Sequence, residues 1–374
     1  MRNIILFFIS IIYGLMNYYI ASKIVKLVNG FLKSNVSIII YFIISVLTLT
    51  TLLGFLMTTM NIGILGKIGM YWFGIVVVSL TLFSISDLLL FFISKIVKSE
   101  NSINMILNFN LIALLVSLCI FGYGVYTAQN IKSTQYSIEI KKESAVDSLK
   151  VVMFSDLHLG YINDVALLEQ VVQKINKINP DIIFISGDFF DGNFNALQNQ
   201  EKARDLLKTL TPEYGTYLAW GNHDAGNSFE KMQEFVLSAN IKILEDEVFV
   251  IQDTLAVIGR KDSTPIGNQG ILRKSIDDDI VNLEKELPVI VVDHQPSNIN
   301  EYAYADLVLS GHTHQGQIFP GNLITRHIYT VDYGYYKMNE GTHIIVSSGV
   351  GTWGPPMRLA TVSEIVEIDI AFIK

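Results

Sequence analysis

Two hydrophobic patterns divide this chain. The first 126 residues hold four apolar stretches, Ile4–Ala21, Val36–Met57, Met70–Ser94 and Met105–Tyr126. Each falls within the roughly 17–25 residues that a bilayer-crossing helix needs. A cleaved leader is the alternative for the first stretch. No small-residue cleavage pattern follows its apolar core, however, and three more spans come after it. Residues 127–147 are polar and aperiodic and are expected to be a tether. Residues 148–374 change rhythm, with short apolar runs alternating with amphipathic segments. Strands are expected at Leu149–Phe154, Ile182–Ser186, Thr216–Ala219, Pro288–Val292, Leu307–Ser310, Thr342–Ser347 and Ile365–Ile370. Val248–Val250 and Leu255–Ile258 should form an antiparallel pair. Helices are expected at Val165–Ile178 (ending before Pro180), Gln200–Leu210, Phe229–Ser238 and Ile276–Glu286. Early βαβ units followed by strand-rich sequence imply an α/β domain of mixed sheets covered by helices.

Charge sharpens the division. The chain has 27 basic and 35 acidic residues, and the first 126 residues hold seven of the former and two of the latter. The apolar third is therefore net +5 and the remainder net −13, as expected of two domains facing different solvents. Segments Ser22–Asn35 and Lys95–Asn104, read as loops, carry five lysines. The N-terminus and Thr58–Gly69 carry one basic residue each. By the positive-inside rule the lysine-rich loops face the cytoplasm, which puts both termini and the C-terminal domain outside. Lys132, Lys141 and Lys142, just after the last span, count against this. Asp87 lies within the third span, where an ionisable group is costly and calls for a partner helix, the headgroup region or a function. The single cysteine, Cys119, excludes a disulfide within the chain and any Cys-based zinc site.

Five of the seven histidines fall in short polar clusters, each placed where a predicted strand ends. The clusters are Asp156-Leu157-His158, Gly187-Asp188, Gly221-Asn222-His223-Asp224, Asp293-His294 and Gly311-His312-Thr313-His314. Strand tips along one sheet edge are where α/β proteins collect ligands. Hard divalent ions take carboxylate oxygen and neutral imidazole. Asp188 suits a bridge, because a carboxylate has two oxygens and offsets repulsion between cations. Asp156 and His158, two apart at an extended strand end, can face one way. His312 and His314 repeat that spacing and can each serve a different ion. Asn222 offers a neutral oxygen, and His294 completes the second set. Two ions about 3.5–4 Å apart can hold a hydroxide for in-line attack on a phosphate ester. His223 is placed to protonate the leaving group, with Asp224 to orient its ring. His327 and His343 lack such context and read as structural.

The motifs Ser155-Asp156-Leu157-His158, Gly187-Asp188-Phe189-Phe190-Asp191, Gly221-Asn222-His223-Asp224 and Gly311-His312-Thr313-His314 resemble those of the calcineurin-like metallophosphoesterases, over residues 148–370. The resemblance implies a four-layer αββα sandwich with two mixed sheets, here preceded by a four-helix transmembrane region. It implies one ion on Asp156, His158, Asp188 and His314. A second would sit on Asp188, Asn222, His294 and His312, with His223 as catalytic partner. The chain is most similar to the membrane-attached bacterial branch, in which Gly-Gly-Gln usually follows His-Thr-His. Here Gln315 replaces the first of those glycines. Gly349–Arg358 also looks like that branch's C-terminal motif. Arg358 can be read as a phosphate ligand or as a surface residue, and Asp191 as a supporting carboxylate or a loop residue.

The expected function is a membrane-anchored, binuclear-metal phosphoesterase acting on mono- or diesters, with lipid headgroups or envelope phosphates as substrates by location. The ions are manganese, iron, zinc or nickel, since His/Asp/Asn sites accept all four. A non-catalytic metal-binding scaffold is the alternative, but its signature would be a decayed ligand set, and the set is complete. A nucleic-acid partner is not expected, because the net −13 part has no basic stripe. A channel or transporter finds little support in four spans with one acidic residue and no broken helix.

Overall fold

A computed structural model describes residues 2–33, 35–56, 63–96, 102–226, 228–263, 273–274, 287–339 and 341–373. The helix expected at 276–286 lies outside the described residues. The chain divides into two compact units: the residues up to Tyr126 together with Gly354–Met357 form one, and Thr127–Trp353 with the residues from Arg358 onward form the other.

The first unit contains α1 (Arg2–Leu32), α2 (Ser37–Leu56), α3 (Gly63–Ile96) and α4 (Ser102–Gln129). All four are long and apolar enough to cross a membrane. Helices α1, α3 and α4 extend beyond the hydropathy limits, and one correction matters. Most of Ser22–Asn35, read as a loop, continues α1 to Leu32. Lys23 therefore sits on a helix, largely buried, and pairs with Asp87 of α3. Tyr19, one turn earlier, donates to the other Asp87 oxygen at 2.7 Å. A lysine that looks like loop charge is the counter-ion that makes an aspartate on a long apolar helix tolerable. Other polar contacts join the same helices. Trp72 Nε1 donates to Asn17 Oδ1 (2.8 Å), Tyr13 Oη to Thr51 Oγ1 (3.1 Å) and Thr51 Oγ1 to the Gly69 carbonyl (2.9 Å). At Gly69 a Cβ would lie 2.6 Å from the Thr50 carbonyl oxygen, so only glycine lets α2 and α3 approach this closely.

The second unit is built on two six-stranded mixed sheets. The first comprises β1 (Lys132–Ile140), β2 (Ser148–Phe154), β3 (Ile182–Ser186), β4 (Thr216–Ala219), β5 (Ile241–Leu244) and β12 (Glu364–Phe372), ordered β1-β12-β2-β3-β4-β5. The second comprises β6 (Glu247–Ile251), β7 (Leu255–Gly259), β8 (Val289–Val292), β9 (Leu307–Ser310), β10 (Gly334–Lys337) and β11 (His343–Val346), ordered β10-β11-β9-β8-β7-β6. Val151, Met153, Ile182 and Phe184 of one sheet share a buried layer with Val257, Ile290, Val292 and Leu309 of the other. Each such side chain contributes about 1.5–3 kcal/mol by leaving water. Helices α5 (Val165–Ile178), α6 (Gln200–Leu207) and α7 (Phe229–Ser238) pack on the outer face of the first sheet. Helix α5 shows why its ends fall where they do. Asp164 caps its N-terminus by accepting from Ala166 N–H, and Asn179 takes a left-handed conformation just before Pro180.

The expected tether is the second correction. Lys132–Ile140 forms β1, paired in parallel with β12 along all nine residues. Its alternation is one-sided, with Ile138 and Ile140 buried and their neighbours exposed, which is how an edge strand conceals itself in polar sequence. Strands β5 and β10 and the helix α8 (Gly321–Ile328) also appear without a sequence signal having announced them.

Candidate metal centre

Parallel pairing brings the clusters level. Phe154 lies opposite Ile185 and Ser186 opposite Ala219, while Val292 lies opposite Leu309. The chain leaving β2 then runs beside the chain leaving β3, with Asp156 N–H donating to the Gly187 carbonyl (3.0 Å) and His158 N–H to that of Asp188 (2.9 Å). Asp156, His158, Asp188, His312 and His314 all adopt positive φ, from 46° to 69°. Five non-glycine residues in that region mark a backbone held against its own preference by its surroundings. Gln315, at φ 51°, occupies a left-handed position where glycine would be unstrained. At Gly311 a Cβ would stand 2.5 Å from an Asp156 oxygen, so this glycine is what lets the two loops touch.

Two groups of ligand atoms, Asp156, His158 and His314, and Asp188, His294 and His312, converge here, and a third, His158, Asp191 and His223, borders the first. His158 Nε2 lies 3.1 Å from His314 Nε2, which lies 3.4 Å from Asp156 Oδ1. His312 Nδ1 lies 3.3 Å from His294 Nε2. Asp188 Oδ2 stands between the groups, 3.6 Å from His158 Nε2 and 3.2 Å from His294 Nε2. The His294 ring is oriented by its partner. Nδ1 lies 2.8 Å from the Ser186 carbonyl, which can only accept, so Nδ1 carries a hydrogen and Nε2 is the nitrogen turned to the cluster. Asn222 Oδ1 is buried with no hydrogen-bond donor. Carboxylates and imidazole nitrogens turned toward one another, beside an amide oxygen with no donor, are a ligand set that fits cations.

The carboxylates and imidazoles support one another's charge. Burial opposes a charged His294, yet Asp188 and Asp156 outweigh it and raise its pKa well above the ordinary value. Burial likewise opposes an ionised Asp188, but His294 and His158 hold its carboxyl well below the usual range. His312, pushed down to about 4 by burial and by His294, stays a neutral donor, as does His314, lowered by burial, His158 and Arg358.

Two expectations change here. Asp224 was expected to orient His223, but its carboxylate is committed elsewhere. Oδ1 accepts from Phe190 N–H (2.7 Å), and Oδ2 from Phe189 N–H (3.1 Å) and Gly221 N–H (2.9 Å). A fully buried carboxyl needs donors, and the crossing loops supply three free amides. Burial and the Asp188 charge push its pKa up to about 7. The carboxylate beside His223 is that of Asp191, with Oδ1 3.4 Å from His223 Nδ1 and 3.6 Å from His158 Nδ1. Both rings keep Asp191 ionised against the cost of its partial burial. Arg358 is neither a phosphate ligand nor a surface residue. It is fully buried, and its Nη2 donates to the carbonyls of Ser348 (2.6 Å), Gly349 (3.1 Å) and Gly351 (2.7 Å), 3.3 Å from His314 Nδ1. Burial pushes its pKa down to about 10. Two aromatic residues to which sequence reading assigned no role also border the cluster. The Trp353 ring is 6.0 Å from that of His223, and the Tyr329 ring 6.1 Å from that of His312. His343 pairs instead with Tyr335 Oη (3.0 Å).

Comparison with known proteins agrees with this architecture. The calcineurin-like phosphoesterase model matches residues 149–316. An uncharacterized metallophosphoesterase of Aquifex aeolicus is 32% identical over 259 residues, 68% of this chain and 97% of that protein. A Danio rerio transmembrane protein with metallophosphoesterase domain is 31% identical over 69% of this chain and 61% of its own length. Among solved structures, a dimetal phosphatase from Danio rerio aligns with 53% of this chain and 86% of its own at 11% identity and a TM-score of 0.33, too distant to carry weight. The chain belongs to the metallophosphoesterase family. That family uses divalent metals, and the clustered His and Asp residues here are of the kind that bind them.

Proposed function

We propose that this chain is a membrane-anchored phosphoesterase that works with two divalent ions. The observation that carries the reading is Asp188 Oδ2, which faces imidazole nitrogens of both ligand groups. Asp156, His158, Asp188 and His314 would hold one ion, and Asp188, Asn222, His294 and His312 the other. Bound there, the ions would supply Lewis acidity to phosphoryl oxygens and acidify a water; manganese, iron, zinc and nickel all suit the donors. His223 does the protein's share of proton transfer. It is partly exposed, and its Nδ1 is turned to Asp191, which leaves Nε2 for the oxygen of the leaving group. Such a general acid is worth ~10²–10⁴-fold, most where the leaving group is a poor one. The substrates are phosphate mono- or diesters, including lipid headgroups and envelope phosphates, with the catalytic unit on the extracytoplasmic side. Lys26, Lys33, Lys95 and Lys98 support that orientation even with Lys23 spent on Asp87.

The test uses the full chain purified in detergent, stripped of metal and resupplied with Mn²⁺. Turnover of a chromogenic diester or monoester should return with the metal and be lost in Asp188→Asn. Two bound ions without turnover of either ester would favour the scaffold reading. For orientation, Thr58→Cys in a Cys119→Ser background should react with an impermeant thiol reagent in intact cells; reaction only after lysis would reverse the assignment.

A further inference from the structure

The rim beside the ligand cluster is built inside out. Helix α8 turns polar residues toward the protein, where Asn322 is buried and Thr325 Oγ1 donates to Asp332 Oδ2 at 2.9 Å. Its apolar residues turn outward, with Leu323, Ile324 and Ile328 at 55%, 60% and 64% exposure, and Phe319 just before it at 56%. Trp353, 52% exposed, belongs to the same rim. The Gln317 side chain donates to its carbonyl (3.0 Å) and accepts from its N–H (2.8 Å). An amphipathic helix packed on a water-soluble domain does the reverse. This rim is next to the site. Gly316, two residues beyond His314, touches Gly321 at the start of α8, and Tyr329, the residue that follows α8, meets His312. Trp353 meets His223 on the other side.

The occupant can be argued from the chain itself. Only Asn130 and Ile131 separate α4, long and apolar enough to cross a membrane, from β1, so a bilayer lies within reach of every copy. Aliphatic residues with Trp and Phe, accompanied by the exposed Arg326 and His327 on α8, match helices that lie in the headgroup–acyl boundary and meet anionic lipid. We propose that α8, Phe319 and Trp353 form an interfacial lip that enters the bilayer surface and brings the site to the phosphate esters of lipids. The substrate half of this rests on the phosphoesterase reading. There, water adds to phosphorus, the bond to the lipid's leaving oxygen breaks and that oxygen takes the proton.

The experiment uses the full chain in lipid nanodiscs. With Cys119→Ser and Ile324→Cys, a fluorophore at position 324 should be quenched about twofold or more when the phosphatidylcholine carries a doxyl group near its headgroup. No quenching overturns the lip, and would mean that this face takes something other than lipid. In parallel, Ile324→Glu with Ile328→Glu should lower turnover of phosphatidic acid and phosphatidylglycerol in the disc by about tenfold, while turnover of a soluble chromogenic ester is unchanged. Equal lipid turnover in variant and parent overturns the proposal, as does a parent that cleaves the soluble ester but neither lipid. A parent that cleaves nothing refutes the phosphoesterase reading, and the quenching result still decides the lip.

Discussion

Both units bury ionisable groups, and they resolve the cost in opposite ways. In the membrane unit Asp87 meets Lys23 and Tyr19, so charge and hydrogen bonds close within the protein. In the metallophosphoesterase unit Asp156, Asp188 and four histidines converge from separate loops, and the buried Asn222 Oδ1 has no donor. Buried charge is tolerated only when paired or when it coordinates a cation. The first arrangement is complete as it stands and is structural. The second turns carboxylates and imidazoles toward a common centre and leaves the Asn222 oxygen unanswered, which is what a metal centre needs. The presence of buried polar residues is therefore less informative than whether their partners are internal.

That contrast can be broken by experiment, and the largest effect is expected at its centre. Asp188→Asn removes the carboxylate shared by both groups and should cost about 10³-fold or more in turnover, with metal content falling by elemental analysis and circular dichroism unchanged. A variant retaining full metal content and rate would remove the bridging role. Arg358→Met should destabilise the catalytic unit by about 3 kcal/mol, because three carbonyls lose a buried donor; a denaturant midpoint like that of the parent would refute this. Asp191→Asn should slow turnover about 10–100-fold, more for alkyl than for nitrophenyl leaving groups, because it supports the His223 acid. Equal slowing of both substrates would point to His158 instead. The smallest effect belongs to the membrane unit. Lys23→Met should lower stability in detergent by about 1–3 kcal/mol, partly recovered in Lys23→Met with Asp87→Leu, and leave soluble-ester turnover unchanged. Loss of turnover there would erase the distinction between the two units.

Much of the metallophosphoesterase unit was legible because its signals are local. The fully apolar runs of β3 and β4 and the period of α5, with Asp164 and Asn179–Pro180 at its ends, announce themselves within a few residues. β1 was not legible, since an edge strand with one buried face shows too few apolar residues to stand out from a polar linker. Nor was α1 beyond Ala21, where Ser22, Lys23 and Lys26 interrupt the hydropathy though not the helix. Asp191 was half legible, three residues from Asp188 but with its partners far along the chain.

By itself the sequence determined the two hydropathy patterns of the chain, the strands and their polar tips, and the chemical types gathered there. These depend on side-chain identity and short-range periodicity. Tertiary structure alone decided the pairings. Asp191 rather than Asp224 serves His223, Arg358 is spent on carbonyls beneath the site, Lys23 answers Asp87, and α8 turns its apolar side outward. His158 and His314 meet across 156 residues, and Lys23 and Asp87 across 64. Contacts at such separations are set by strand register and helix packing, which no local stretch of sequence encodes.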